Sequence, residues 1–202
     1  MDFDKALVAA KLRRWESYIN SFRLPMWKDI PDFGLYMEQV ILLLQEYLDY
    51  LPPDIKEEQF ITAATINNYV RKKVMPEPVK KKYYRRHIAY LIVICTLKHS
   101  LTIATVQAIL PPDLEDAALA PFYDAYAERH HRTTEYFTGM CRTFAGSILG
   151  HQDSSPYAVQ EPVDLIFSSA IISEFSRVLA EKLLLLDGKA LPTDEAAGEE
   201  TT

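Results

Sequence analysis

The chain of 202 residues has few glycines, few cysteines and no long apolar run. Its six glycines argue against a sheet-rich protein and against a nucleotide enzyme built on a glycine loop, which needs several glycines close together. The two cysteines, Cys95 and Cys141, do not support a disulfide framework, so we expect a reducing cytoplasm. The longest apolar run, residues 88–95, is far shorter than a membrane span. The acidic start of the chain also lacks the apolar stretch of a signal peptide, so we expect a cytoplasmic protein with no membrane partner.

What the chain does contain is ordinary for a globular protein with a sizeable core, with 49% hydrophobic and 25% charged residues. Nearly every patterned segment has the three- and four-residue spacing of a helix. Thr62 and Thr102 are expected to cap helices, and Pro52-Pro53 to end one. The predicted class is all-α, with helices over 2–22, 35–50, 62–72, 84–98, 103–110, 121–149 and 163–186.

The helices and prolines suggest four parts. We expect an N-terminal helix and loop over 1–32, a compact basic module over 33–112, a helical region over 113–188 and a disordered acidic tail over 189–202. The first helix can belong to either half of the chain. The apolar stripe of the helix at 121–149 is compatible with core packing, with a dimer seam, or with the wall of a pocket for an unknown small-molecule effector. The sequence leaves these three open.

Charge is distributed very unevenly along the chain. Residues 60–100 contain nine Lys/Arg and one acid, a net charge of +8. Of the totals of 22 and 28, the other residues therefore hold 13 Lys/Arg and 27 Asp/Glu, a net charge of −14. Such a distribution indicates a polyanionic partner.

The residues of the basic segment are suited to binding DNA. Helix 62–72 carries threonine, asparagine and arginine, which hydrogen-bond base edges and phosphates. The extended turn after it offers three consecutive lysines, as a wing does beside a recognition helix. The candidate DNA-binding residues are Thr62, Thr65, Asn67, Asn68, Arg71, Lys72, Lys80, Lys81, Lys82, Tyr83, Arg85 and Arg86.

Three details of this segment can be compared with a structure. We expect Asn68 to face outward. We expect Tyr83 to pack in the core, with its hydroxyl still able to reach a phosphate. Arg85 and Arg86 open a helix, where the helix dipole disfavours positive charge. We therefore expect a partner outside the fold to stabilise these two arginines.

The order of these motifs resembles a MerR-type winged helix-turn-helix. Residues 65–69 (TINNY) stand where that family has its recognition-helix motif, and residues 81–83 (KKY) stand in its wing. Residues 87–97 and 100–109 resemble the two closing helices. The pattern INNYV, then P-x-P-x-KKKY, is more closely similar to domain-of-unknown-function family 1836, which is regarded as MerR-like in fold. The resemblance covers roughly residues 26–112.

The chain departs from the winged-helix pattern at two positions. Asn67 stands where the recognition helix usually has an arginine, and Lys81 replaces the usual wing arginine. The wing is also shortened and lacks its glycine. Lysine cannot reproduce the bidentate fork of arginine, so contacts with the phosphate backbone survive these changes better than sequence specificity does.

These observations predict a transcriptional regulator that binds double-stranded DNA as a homodimer and needs no cofactor. The alternative is a protein-interaction adaptor on a helix-turn-helix scaffold, since the acidic remainder of the chain repels DNA. An enzyme is not expected, because the sequence has no paired-carboxylate, nucleophile or phosphate-loop arrangement. We also expect no metal site at His130, His131 and Cys141, whose spacing matches no metal motif. A hydrolase site at Ser147, His151 and Asp153 is not expected either.

Overall fold

The computed structural model describes residues 2–50, 61–150 and 157–189. Within these ranges the regular structure is helical, apart from two isolated β-bridges, which confirms the all-α class. No helix in these ranges is both long and apolar enough to cross a membrane. The helices are α1 Lys5–Ser21, α2 Met37–Tyr47, α3 Ala63–Arg71, α4 Arg85–Leu97, α5 Ile103–Ile109, α6 Asp116–Phe144, α7 Gly146–Leu149 and α8 Pro162–Leu184, with a 3-10 turn at Trp27–Asp29.

Two predicted N-caps are present. The Thr62 hydroxyl accepts a hydrogen bond from the Thr65 amide at 3.0 Å, and Thr102 does the same for the Thr105 amide at 3.1 Å. Each bond satisfies one of the free N–H groups in the first turn of a helix. The predicted stop at Pro52-Pro53 lies outside the described residues, as does all of the predicted tail except Lys189.

Helix α6 begins five residues earlier than the predicted start at 121, so Pro121 lies inside the helix. Proline removes one backbone donor and normally ends or bends a helix. Here Leu119, in the first turn, is only 1% exposed. Burial of this side chain offsets the missing hydrogen bond and keeps the first turn helical.

The main core forms around α4, whose residues from His87 to Cys95 are all buried. This confirms the prediction that helix 84–98 is central. Helices α2, α3 and α5 contribute to the same cluster of side chains, and so does the first half of α6. The cluster runs from Leu24 to Ala127, so the core extends into α6.

Helix α1 lies antiparallel to the second half of α6. Thr138 donates to the Asn20 side chain at 2.7 Å, and Arg142 pairs with Glu16. Nearer the start of α1, Ala9 shares a small second core with Ile148 and Leu149 of α7 and the adjoining Ala145. The N-terminal helix therefore packs on the C-terminal half of the chain. The sequence alone had not decided which half it joins.

Helix α8 leaves most of its apolar side chains in solvent. Among its residues only Pro162 is buried, and Phe175 is 70% exposed. Five exposed apolar residues follow at steps of four and form what we call the α8 ridge: Phe167, Ile171, Phe175, Leu179 and Leu183. Steps of four place side chains along one face of a helix.

Candidate nucleic-acid interface

Helix α3 is amphipathic and anchored by its inner face. Ile66 and Tyr69 are buried, while Asn67 is exposed. Asn68 is half-buried, and its side-chain oxygen accepts a hydrogen bond from Arg71 at 2.9 Å. Asn68 is therefore partly exposed and in contact with an exposed arginine, as its expected outward position requires. Asn67 is the more exposed of the two asparagines.

Just after the end of α3, a lysine adopts the left-handed conformation. The Lys73 amide donates to the Val70 carbonyl at 2.9 Å, and the Val74 amide donates to the Tyr69 carbonyl at 2.9 Å. This pair of bonds defines a Schellman motif, in which glycine usually occupies the left-handed position. Lys73 has a φ of 54° there, and its side chain is exposed.

A two-residue turn presents the next lysines. Val79 and Lys82 exchange backbone hydrogen bonds, each 3.0 Å long, around Lys80 and Lys81. These two central residues have φ values of 50° and 64°, the pattern of a type I′ turn, which normally uses Asn-Gly. Both side chains are exposed. We call residues 79–82 the lysine turn.

Directly after the lysine turn, the chain pairs with the segment before α2. Leu35 and Tyr83 exchange two backbone hydrogen bonds of 2.8 Å. The Lys82 ammonium lies 5.3 Å from the centre of the Tyr36 ring, within the range of a cation–π contact. A Cβ atom at Gly34 would lie 2.8 Å from Lys82 Cδ, so this close approach favours glycine. Tyr83 is 3% exposed, which confirms its predicted role as a core anchor.

Arg85 and Arg86 both have partners within the fold. Arg85 Nε donates to the Ile30 carbonyl at 2.7 Å, and its guanidinium lies 3.8 Å from the Asp32 carboxylate. Arg86 donates to the Leu114 carbonyl at 2.8 Å and lies 3.5 Å from Asp116.

These internal partners offset the unfavourable helix dipole. The fold therefore supplies partners for both arginines, so their position at this helix start does not by itself require a partner outside the fold. Their side chains are only 24% and 27% exposed, so the two arginines present little free surface.

His87, in the first turn of α4, contacts the backbone on both sides of the lysine turn. The sequence did not predict this role. The His87 Nδ1 accepts from the Tyr84 amide at 3.0 Å, and its Nε2 lies 2.9 Å from the Glu77 carbonyl. Together these contacts require a neutral ring protonated on Nε2. Burial lowers the pKa of His87, which favours the neutral form. The sequence signal for this capping role is a histidine in the first turn of an apolar helix.

The twelve candidate residues therefore divide by environment. Lys72 is exposed, as are Asn67, Arg71 and the two central lysines of the turn. Thr62 and Thr65 share a side-chain hydrogen bond of 3.0 Å at the start of α3, and Asn68, Lys82, Tyr83, Arg85 and Arg86 all contact the fold. In the part of the chain that the structure describes, no three His, Cys, Asp or Glu residues form a group able to hold a metal ion.

The described residues form a helical protein whose basic segment exposes several cations, at the end of α3 and in the lysine turn. The family described as Domain of unknown function (DUF1836) matches residues 25–126. Since this range is about half of the chain, the protein belongs to that family. The matched range nearly coincides with the main core, which runs from Leu24 to Ala127. No curated protein and no solved structure matches the chain.

Proposed function

We propose that the protein binds double-stranded DNA as a homodimer and regulates transcription, with a winged helix-turn-helix of the MerR type. In this proposal α3 lies in the major groove, and the lysine turn contacts the backbone beside it. Lys72 and Arg71 contribute further phosphate contacts at the end of α3. Arg85 and Arg86 hold the scaffold in shape and contribute little to the DNA surface, because carboxylates and carbonyls of the fold already engage them.

One observation carries the proposal: lysines occupy backbone positions that favour glycine. Among the described residues, three non-glycine residues have positive φ, and all three are exposed lysines of the basic segment: Lys73, Lys80 and Lys81. The left-handed conformation costs an L-residue roughly 1–2 kcal/mol. Strain of this kind persists only where the surrounding structure holds it, and it clusters at functional sites. Three cations on adjoining stretches of chain suit a polyanion.

The charge distribution supports the same reading. The segment of net charge +8 lies in a chain that is otherwise −14, so DNA is attracted to one region and repelled elsewhere. Repulsion from the acidic remainder favours one docking orientation. The exposed Asn67 is suited to reading adenine, whose N6 and N7 match the side-chain amide.

The α8 ridge supports the homodimer. Five apolar side chains along one face of a helix form an exposed patch of the type that marks protein interfaces. A two-fold dimer uses the same patch on both copies. The two copies of α3 would then read half-sites separated by about one helical turn of DNA, or a multiple of it.

Genomic DNA selection at two salt concentrations, followed by sequencing, tests the proposal. We expect an enriched motif with two related half-sites, and weaker retention at the higher salt concentration. Absence of retained DNA even at low salt would refute it.

A second candidate function is a protein-interaction adaptor without DNA binding. The exposed α8 ridge favours it as much as it favours the homodimer, since the same face can receive a different protein. A pull-down after nuclease treatment distinguishes the two. The adaptor requires a retained protein partner together with no retention of DNA.

A further inference from the structure

An apolar cavity lies between the two halves of the chain. Its volume is about 460 Å³, within the range of roughly 300–1,000 Å³ typical of small-molecule sites. Helices α1 and α6 form its long walls, and Tyr50 and Leu97 close it on the side of the main core. None of the candidate DNA-binding residues lines it.

The lining is mainly aromatic. Phe22 and Tyr50 have ring centres 4.6 Å apart, and His130 lies 5.5 Å from Tyr50. Trp15 and Phe137 meet edge to face at 6.1 Å on the same lining. Rings in tilted and edge-to-face arrangements leave faces and edges that suit a further flat aromatic group. Burial and the neighbouring His131 lower the pKa of His130, so this histidine adds a neutral ring to the wall.

Among the described residues that line the cavity, one carries a charge. Arg129 belongs to the lining and is exposed, and its guanidinium forms no hydrogen bond or ion pair within the described residues. Thr133, one turn further along α6, adds a hydroxyl to the lining. An otherwise apolar site with one guanidinium recognises an apolar ligand that carries an acidic group, because carboxylates match the fork of arginine.

We propose that this cavity binds a small aromatic acid, with its ring among the aromatic side chains and its carboxylate on Arg129. The argument uses only the cavity and its lining. It therefore holds whether or not the protein binds DNA, and its test contains no DNA.

The test is isothermal titration calorimetry of the full chain with two probes that differ in charge, naphthalene-2-carboxylate and naphthalene-2-carboxamide. We expect Arg129→Gln to weaken binding of the carboxylate about tenfold, the loss expected for one charge-assisted contact. Binding of the carboxamide should change less than about twofold, since it carries no charge for Arg129 to meet. Arg132→Gln is the matched control, because Arg132 is an exposed arginine on α6 outside the lining. It should change neither affinity.

A second variant tests the location. Thr133→Trp fills part of the cavity and should weaken both probes at least about tenfold, because the ring then has no room. Circular dichroism checks that each variant is folded, and Arg129→Gln alters only an exposed side chain. The proposal is overturned if the wild-type chain binds neither probe. It is also overturned if Arg129→Gln binds the carboxylate as tightly as wild type, or if Thr133→Trp leaves both affinities unchanged.

Discussion

Relieving the strain in the lysine turn should stabilise the fold and weaken DNA binding together. The double change Lys80→Asn with Lys81→Gly places the preferred type I′ pair on a backbone that already has φ values of 50° and 64°. Relief of the left-handed strain gains roughly 1–2 kcal/mol per residue, and glycine returns about 0.4–1 kcal/mol through the entropy of the unfolded chain. We expect a net gain of about 1–3.5 kcal/mol in the free energy of unfolding for the pair.

The same change removes two exposed positive charges. If both lysines touch phosphates, the log–log dependence of affinity on salt becomes shallower by roughly 1.8. Urea denaturation measures the first quantity, and fluorescence anisotropy with a short duplex at several salt concentrations measures the second. A gain in stability should appear as a rise of roughly 2–4 °C in Tm per kcal/mol.

Two controls separate charge from backbone. Lys80→Arg with Lys81→Arg keeps both charges and both left-handed residues, so stability and salt slope should stay as in wild type. Lys11→Ala removes an exposed lysine from α1 and should leave the slope unchanged. An unchanged slope in the Asn-Gly variant would refute contact between the turn and DNA, and a loss of stability would refute the strain argument.

Three further predictions concern the scaffold and the dimer. Arg86→Met should lower the free energy of unfolding by about 1–3 kcal/mol in urea titrations, because the bond to the Leu114 carbonyl is lost; stability equal to wild type would contradict this. Because the pKa of His87 is lowered in the fold, the unfolded chain takes up the proton first as the pH falls below about 6.5. Stability should therefore fall over that range, and His87→Gln, which can keep the cap, should flatten the fall in Tm measured from pH 7.5 to 5.5. Phe175→Glu should convert the dimer to a monomer in light scattering at micromolar concentration. Ser173→Glu, at an exposed position on the side of α8 away from the ridge, should not. A monomeric wild type would remove the α8 ridge from the proposal.

The helices of the main core were predictable from the sequence because their signals are local. Thr62 and Thr102 mark two helix starts through bonds to residues three positions away. The continuous apolar stretch of α4 indicates a helix buried on all sides. The uneven charge distribution can likewise be read directly from the chain.

The backbone at the lysines was not predictable from the sequence. A turn of this type is normally recognised by glycine or asparagine, and the sequence has lysine at both left-handed positions of the turn. The conformation arises because hydrogen bonds on both sides hold it, from Val79 to Lys82 and from Leu35 to Tyr83. Local propensity therefore predicted an extended wing but not the left-handed backbone at its lysines.

Sequence alone determined the helical class, the caps and the concentration of positive charge, since each depends on residue type and short spacing. Tertiary structure decided what Arg85 and Arg86 do, because their partners Ile30 and Leu114 lie 55 and 28 residues away. It also decided that α1 and α6 enclose an aromatic cavity, because contacts such as that between Trp15 and Phe137 join parts of the chain that no local pattern connects. These contacts join residues that lie far apart in the sequence, so they exist only in the folded chain.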